Sequence, residues 1–346
     1  MGNGGKVIKA DIKLGYSCNN DCVHCVISDH RNLVFARGLP EDIPEEKYRQ
    51  ELKDSRTRAN AVVFTGGEPT IRKELLDLVA YARDLGYKIS MQTNGRRLSR
   101  MDFAQALCGI VRMNYTIALH GPRPEIHDAV TRAPGSFYET VQGIRNVLEL
   151  SGNSNTLSGK LVISKINAPH LTDTIRFMEN LGLKSVSLTF PHACGNARKN
   201  FYDVVPRYRD IREEVINAIY FCLTRGITVK TEALMFCHIP GAEFVVGELE
   251  MIDAEYSELK QYGMDDVVNW QTMRPEIKKK SPFCKYCRYD KICEGPWMEY
   301  PDYYDFDDLI PVPGRPVEEH CEVAQKNRRN ENRLSAAYMF RIDNCQ

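Results

Sequence analysis

Short β-type runs alternate with helical patterns through the first two-thirds of the chain, and this rhythm restricts the fold more than any other feature. Strand candidates lie at 8–15 (IKADIKLG), 61–65 (AVVFT), 87–93, 113–119 (MNYTIAL), 159–165 (GKLVISK) and 184–190. Helical periodicity is predicted between them, near 44–57, 70–85, 99–110, 136–151 and 169–181. Parallel strands need long crossovers, usually helices, so a βαβα order predicts a parallel sheet covered by helices. Six units in about 195 residues are too few for a closed eightfold barrel and suit a partial (β/α)6 TIM-like one, with its chemistry at the C-terminal strand ends. A helical pattern at 205–225 leads into a different region. From about 227 to 320 the periodicity fades while Cys, Pro, Tyr and acidic residues accumulate, the mark of a smaller irregular domain organised around metal. The expected division is a core over 1–215, the metal-organised domain over 216–320 and a polar tail over 321–346.

Charge is balanced, with 46 Lys+Arg against 46 Asp+Glu, which argues against nucleic acid or an anionic membrane as partner. No stretch approaches the roughly 18 apolar residues of a transmembrane helix. The start MGNGGKVIKA has no signal-peptide core, which points to the cytoplasm. In that reducing compartment the 12 cysteines are expected to be metal ligands, catalytic groups or small core residues, not disulfides. Six of them fall in two clusters. Cys18, Cys22 and Cys25 form C-x3-C-x2-C directly after the first strand, and Cys284, Cys287 and Cys293 form C-x2-C-x5-C. Cys108 and Cys222 sit in apolar helical stretches and read as core, while Cys345 has no assignable role. Three thiolates leave one iron of a [4Fe–4S] cube open, whereas a structural zinc would recruit His24 or a distant residue; spacing alone leaves both readings standing. At the end of the second strand, Gly66-Gly67-Glu68-Pro69 combines two glycines that permit close backbone approach with an acceptor for a cationic group.

In order along the chain, Cys18-x3-Cys22-x2-Cys25, Gly66-Gly67-Glu68-Pro69, Gln92-Thr93-Asn94-Gly95, Leu119-His120-Gly121, His127-Asp128 and Gly135-Ser136-Phe137 resemble the radical S-adenosylmethionine (radical SAM) superfamily. The resemblance covers residues 8–200 or so. It implies a partial barrel whose [4Fe–4S] cluster is held by Cys18, Cys22 and Cys25, the fourth iron being chelated by S-adenosylmethionine. It further implies the methionyl ammonium at Gly66, Gly67 and Glu68, ribose hydroxyls at Asn94 and His120, and the carboxylate at Ser164 or Lys165. Adenine would lie near 23–25, where His24 replaces the usual aromatic residue. Reductive cleavage would then give a 5′-deoxyadenosyl radical that abstracts a substrate hydrogen, the protein holding substrate and excluding solvent.

C-x2-C-x5-C beyond such a core resembles the auxiliary-cluster extensions called Twitch and SPASM domains. Cys237, which follows a predicted β run, is the first choice of fourth ligand, with Cys321 in reserve and Cys194 a further option. Trp297 stands where another SPASM cysteine would fall, so one auxiliary [4Fe–4S] cluster is expected, with zinc as the alternative occupant. The expected cofactors are therefore two [4Fe–4S] clusters and S-adenosylmethionine, with an electron donor such as flavodoxin or ferredoxin as partner. Many extended members of the superfamily modify ribosomally made peptides, forming C–C, C–S or C–N bonds. That is the leading reading, ahead of a small-molecule substrate (sugar, nucleoside or antibiotic precursor) and of a non-enzymatic metal-binding module. Only residues 1–7 precede the first strand, so no leader-peptide-binding domain is expected there. His192, Cys194 and Asn196 follow the sixth strand and are expected to face the cavity. His192 and Cys194 are the catalytic candidates, Cys194 as hydrogen donor or radical relay. The run Tyr300–Asp308 reads as a channel lining or basic-segment clamp, or as a loop packed by its own tyrosines.

Overall fold

Each of the six apolar runs becomes a strand in the computed structural model, which describes residues 8–152, 156–249, 257–260, 262 and 267–323. They are β1 (Lys9–Lys13), β2 (Ala61–Thr65), β3 (Lys88–Thr93), β4 (Asn114–Ala118), β5 (Leu157–Val162) and β6 (Ser185–Thr189). The crossovers carry α1 (Ser28–Ala36), α2 (Glu45–Ser55), α3 (Leu75–Asp84), α4 (Met101–Ile110), α5 (Pro124–Thr131), α6 (Ser136–Ser151) and α7 (Leu171–Leu181). Neighbours from β1 to β6 pair in parallel and in sequence order, as in a partial TIM-like barrel. The helices bury apolar faces against this sheet: Leu75, Leu78, Val79 and Ala82 of α3, and Leu171, Ile175 and Met178 of α7. Each fully buried large apolar side chain contributes about 1.5–3 kcal/mol, so the covered sheet is a firm base for the loops at its C-terminal edge.

The sheet does not stop at residue 215. After α8 (Asn196–Lys199), α9 (Phe201–Val204) and α10 (Arg212–Thr224), the run before Cys237 forms β7 (Thr228–Glu232) and pairs in parallel with β6. Its sequence TVKTE alternates exposed and buried positions but has little apolar content, so it reads poorly as a core strand. On the opposite side, β8 (Ser257–Lys260) pairs in parallel with β1, and β9 (Val267–Asn269) pairs antiparallel with β8. The order is β7-β6-β5-β4-β3-β2-β1-β8-β9, so among the described residues the sheet has nine strands against the six expected of the barrel. The helical pattern at 70–85 starts late because Pro69–Ile71 makes a separate 3₁₀ turn, capped by the Glu68 side chain. Among the helices of the six-strand crossovers, α1 and α5 escaped the periodicity: α1 buries only Val34, and α5 buries His127 and Thr131 beside Val130.

The C-terminal region packs into the same apolar interior as the barrel. Tyr300 lies against Phe190 and Tyr208, and the Tyr304 hydroxyl donates to Val205 O at 2.9 Å. Asp308 is buried and faces Arg207 and Arg209 at 3.6 and 3.4 Å. The Tyr300–Asp308 run is thus a packing seam, because its tyrosines pack on the barrel and Asp308 is ion-paired to Arg207 and Arg209. Cys345 and residues 324–346 of the tail lie outside the described residues. Among the described residues, no helix is long and apolar enough to cross a membrane.

Candidate functional site

Beyond β1 the chain runs through residues 14–17 to Cys18, and the turn after β2 docks on this segment. Gly67 N–H donates to Gly15 O and Glu68 N–H to Ser17 O, both at 2.8 Å. A Cβ on Gly67 would sit 1.9 Å from Ser17 O, so only glycine permits this contact. The close approach read from the sequence is therefore made to the chain itself. The Gly66 and Gly67 carbonyls accept no hydrogen bond among the described residues, which leaves them available to a donor. The cysteine loop is held from two further sides. Asp21 and Val23 N–H groups donate to Thr131 O and Val130 O of α5 at 3.0 and 2.9 Å. After β6, Asn196 Nδ2 donates to Asp21 Oδ1 and Cys22 O, while its backbone N–H donates to Cys25 O. Gly195 precedes it, and a Cβ there would lie 2.3 Å from Cys25 O. Asn196, expected to face substrate, instead braces the loop. Burial pushes the Cys18 thiol up to about 12 and raises Cys22 and Cys25, and the charge on Cys25 adds to the rise at both Cys18 and Cys22. A bound cation reverses that cost by deprotonating its thiol ligands, so three convergent, half-buried thiols fit an iron site.

Glu68 has a different role from the one expected. Its Oε1 accepts from Thr70 N–H (2.9 Å), Thr70 Oγ1–H (2.6 Å) and Thr93 Oγ1–H (2.6 Å), and its Oε2 accepts from Asn94 N–H (2.7 Å). Three donors on Oε1 and one on Oε2 meet a carboxylate that is 3% exposed, so Glu68 ties the ends of β2 and β3 together and keeps only an Oε2 lone pair for an ammonium. Burial pushes its carboxyl up, against the four hydrogen bonds. Glu68→Gln places an amide against one of those donors and is expected to destabilise the fold by about 2 kcal/mol, read as a lower apparent Tm. An unchanged Tm contradicts the bracing role.

Asn94 Nδ2 donates to Asn19 Oδ1 at 2.7 Å, linking the β3 end to the cysteine loop. His24 meets His120 edge-on at 4.7 Å between ring centroids, and His120 stacks on His127 at 5.8 Å. Burial pushes His24 down to about 3 and His120 well down, so both are neutral. His24 Nδ1 is buried without a partner, a vacancy in hydrogen bonding that a ligand group beside the cysteines would fill. Ser164 is fully buried, and both its N–H and its hydroxyl donate to Asn167 Oδ1. Asn167 in turn donates to His120 O. Ser164 thus supports the His120 backbone, and Lys165 turns away to Tyr202 O.

His127 Nδ1 accepts from His120 N–H at 3.0 Å and must be unprotonated to do so. Burial pushes it down to about 4, whereas an unfolded histidine titrates near 6.5. Its contribution to stability is complete above pH 6.5 and is lost as pH falls toward 4, because the unfolded chain binds the proton first. The stability advantage of wild type over His127→Asn in urea unfolding should shrink by about 3 kcal/mol from pH 7 to pH 4. A pH-independent gap contradicts a neutral His127.

Sequence reading missed the charged groups of the sheet interior. Lys160 of β5 pairs with Glu232 Oε2 at the end of β7 (3.2 Å), and Thr189 Oγ1 donates to the same oxygen at 3.1 Å. Lys160 holds the Glu232 carboxyl below its usual range. A lysine between apolar neighbours in LSGKLV was the available signal. His192 and Cys194 meet Glu299, also missed: His192 Nε2 lies 3.0 Å from Glu299 Oε2, and Trp297 stacks on the His192 ring at 4.2 Å.

The second cysteine set also assembles. Cys237, Cys284, Cys287 and Cys293 line one cavity, with Phe236, Tyr289, Leu309 and Pro311 among its other walls. Cys237 feels the thiols of Cys284, Cys287 and Cys293, which with burial push it up, and burial pushes Cys293 up to about 12. Val312 N–H donates to Cys287 Sγ at 3.3 Å. Cys321 is exposed and turned to Glu319 at 3.3 Å, outside this group.

Residues 12–178 match the sequence model of the radical SAM superfamily. An AdoMet-dependent heme synthase of Oleidesulfovibrio alaskensis is 28% identical over 210 residues, 59% of this chain and 50% of that protein. A probable GTP 3′,8-cyclase of Thermococcus kodakarensis is 29% identical over 208 residues, 59% of this chain and 65% of that protein. The chain thus spans between half and two-thirds of these relatives. Among solved structures, anSMEcpe with AdoMet and the Cp18Cys peptide has the same fold, with a TM-score of 0.60 at 16% identity over 96% of this chain and 99% of that one. Streptococcus suis SuiB bound to S-adenosylmethionine gives a TM-score of 0.61 at 15% identity, over 84% of this chain and 73% of that one. With the matched core, the ordered motifs and the cysteine loop at the mouth of the partial barrel, the chain carries a radical SAM domain over residues 12–178.

Proposed function

We propose that this chain cleaves S-adenosylmethionine reductively at a [4Fe–4S] cluster on Cys18, Cys22 and Cys25, and modifies a ribosomally made peptide. A second, closed [4Fe–4S] cluster on Cys237, Cys284, Cys287 and Cys293 completes the reading, with flavodoxin or ferredoxin as electron donor. The observation that carries it is the docking of the three-cysteine loop on the turns after β2 and β6, at the C-terminal edge where such barrels place their chemistry. When bound, the cluster and S-adenosylmethionine supply the electron and the hydrogen-abstracting 5′-deoxyadenosyl radical. The chain's own residues bind and position. Gly66 and Gly67 offer carbonyls to the methionyl ammonium, while Asn94 and His120 stand by the ribose and His24 by the adenine. The Lys160–Glu232 pair anchors polar substrate groups in the sheet interior, and His192 and Cys194 face the substrate.

Sulfur spacing supports iron–sulfur clusters over single zinc ions. Thiolates about 2.3 Å from a tetrahedral zinc lie about 3.8 Å apart. Among the described residues, the His192, Cys194 and Glu299 group has its ligand atoms mutually within 4.8 Å, and neither cysteine set is drawn in that far. The near end-to-end fold likeness to the peptide-bound anSMEcpe structure supports a peptide substrate. The names of the two sequence relatives favour the second reading, a small molecule. Dithionite and S-adenosylmethionine should release 5′-deoxyadenosine from the anaerobically reconstituted protein, and no release overturns the proposal. Deuterium passing into 5′-deoxyadenosine from a labelled peptide, and not from labelled nucleosides or sugars, supports the peptide reading; the reverse supports the second.

A further inference from the structure

We propose that His192, Cys194 and Glu299 bind a single divalent transition-metal ion of the zinc class, apart from both cysteine sets. His192 Nε2 and Glu299 Oε2 are 3.0 Å apart, and Cys194 Sγ lies 3.4 Å from His192 Nε2 and 3.5 Å from Glu299 Oε1. A tetrahedral zinc with bonds of about 2.3 Å to sulfur and about 2.0 Å to nitrogen and oxygen has edges of about 3.5 Å for S···N and S···O and about 3.3 Å for N···O. The two Glu299 contacts use different oxygens, but one ligand atom from each residue lies within 4.8 Å of the others, so a small turn of the carboxylate closes one face of such a tetrahedron. A thiolate and a carboxylate neutralise a divalent ion, and the imidazole completes a borderline-soft donor set that zinc favours.

The surroundings hold this face in place. Cys194 N–H donates to His192 O at 2.8 Å, a tight turn that gathers the two side chains after β6. Trp297 stacks on the imidazole at an interplanar angle of 16° and fixes its plane. Lys278 Nζ lies 3.9 Å from the Trp297 ring centroid and 3.5 Å from Glu248 Oε1, so the stacked ring is itself anchored. The side chains of His192 and Glu299 are 22% and 25% exposed, which gives an ion a path in and leaves the fourth position to water or to a substrate heteroatom. Only the assignment of that fourth position to substrate rests on the proposed function; the ion site itself does not.

The test uses full-length protein whose cluster cysteines are first filled by anaerobic reconstitution with iron and sulfide. After removal of loose metal and incubation with Zn²⁺, the wild type should retain about one zinc per chain with its iron content unchanged. Cys194→Ser and Glu299→Gln should each weaken zinc binding at least about 10-fold, with iron content and circular dichroism as in wild type. Co²⁺ in place of zinc should give a thiolate-to-cobalt charge-transfer band that Cys194→Ser abolishes. Negligible zinc in the wild type, zinc retained undiminished in both variants, or zinc gained only as iron is lost each overturns the site and leaves a hydrogen-bonded trio. Release of 5′-deoxyadenosine by the same wild-type sample reports separately on the proposed function.

Discussion

Cys22→Ala is expected to lower 5′-deoxyadenosine formation by on the order of 10³-fold or more, because no side chain replaces the cofactor chemistry that the three-cysteine loop holds. The substitution leaves the loop's supports in place. Asn196 grips the Cys22 carbonyl, not its side chain, and Asp21 and Val23 are tied to α5 through their backbone. Circular dichroism and the second cluster should therefore survive, which separates loss of chemistry from loss of fold. Cys321→Ala is the control: its thiol is exposed and outside both sets, and it should match wild type. Retained activity in Cys22→Ala would remove Cys18, Cys22 and Cys25 as the site of cleavage.

The double variant Cys284→Ala/Cys287→Ala should cut reconstituted iron from about eight to about four atoms per chain. Cys237 and Cys293 would remain at the cavity, but two thiolates cannot close a cube. The lining of the cavity by aromatic and aliphatic walls means that loss of the cluster also leaves an apolar gap in the C-terminal region, so a lower apparent Tm should accompany the loss of iron. Iron that stays near eight excludes these cysteines as ligands; a wild type that never exceeds four excludes the second cluster.

Those two expectations rest on residues that sequence made legible for a simple reason. Cysteine spacing is local, and βα alternation fixes which strand ends become neighbours, so the sequence alone brings Cys18, Cys22, Cys25, Gly66 and Gly67 to one end of the sheet. Cys237 could be preferred over Cys321 because it follows a β run, and that run proved to be β7 of the barrel itself. What stayed hidden was long-range. Glu68 reads as a ligand alone, and only the structure shows Thr70, Thr93 and Asn94 engaging it as a brace between β2 and β3. Glu299 lies more than a hundred residues from His192 in a stretch without periodicity, so nothing local signals their pairing. The run TVKTE is legible as a strand but too polar to reveal its place in the core sheet, since the neighbours that bury Val229 and Thr231 come from elsewhere in the chain.

In the proposed enzyme one open cluster takes S-adenosylmethionine and one closed cluster does not. Electron paramagnetic resonance of the dithionite-reduced, reconstituted protein tests it most directly, recorded before and after adding S-adenosylmethionine. Two reduced-cluster signals are expected, of which S-adenosylmethionine shifts one. That responsive signal should persist in Cys284→Ala/Cys287→Ala and vanish in Cys22→Ala. A single signal, two signals that both shift, or none that responds to S-adenosylmethionine would contradict it.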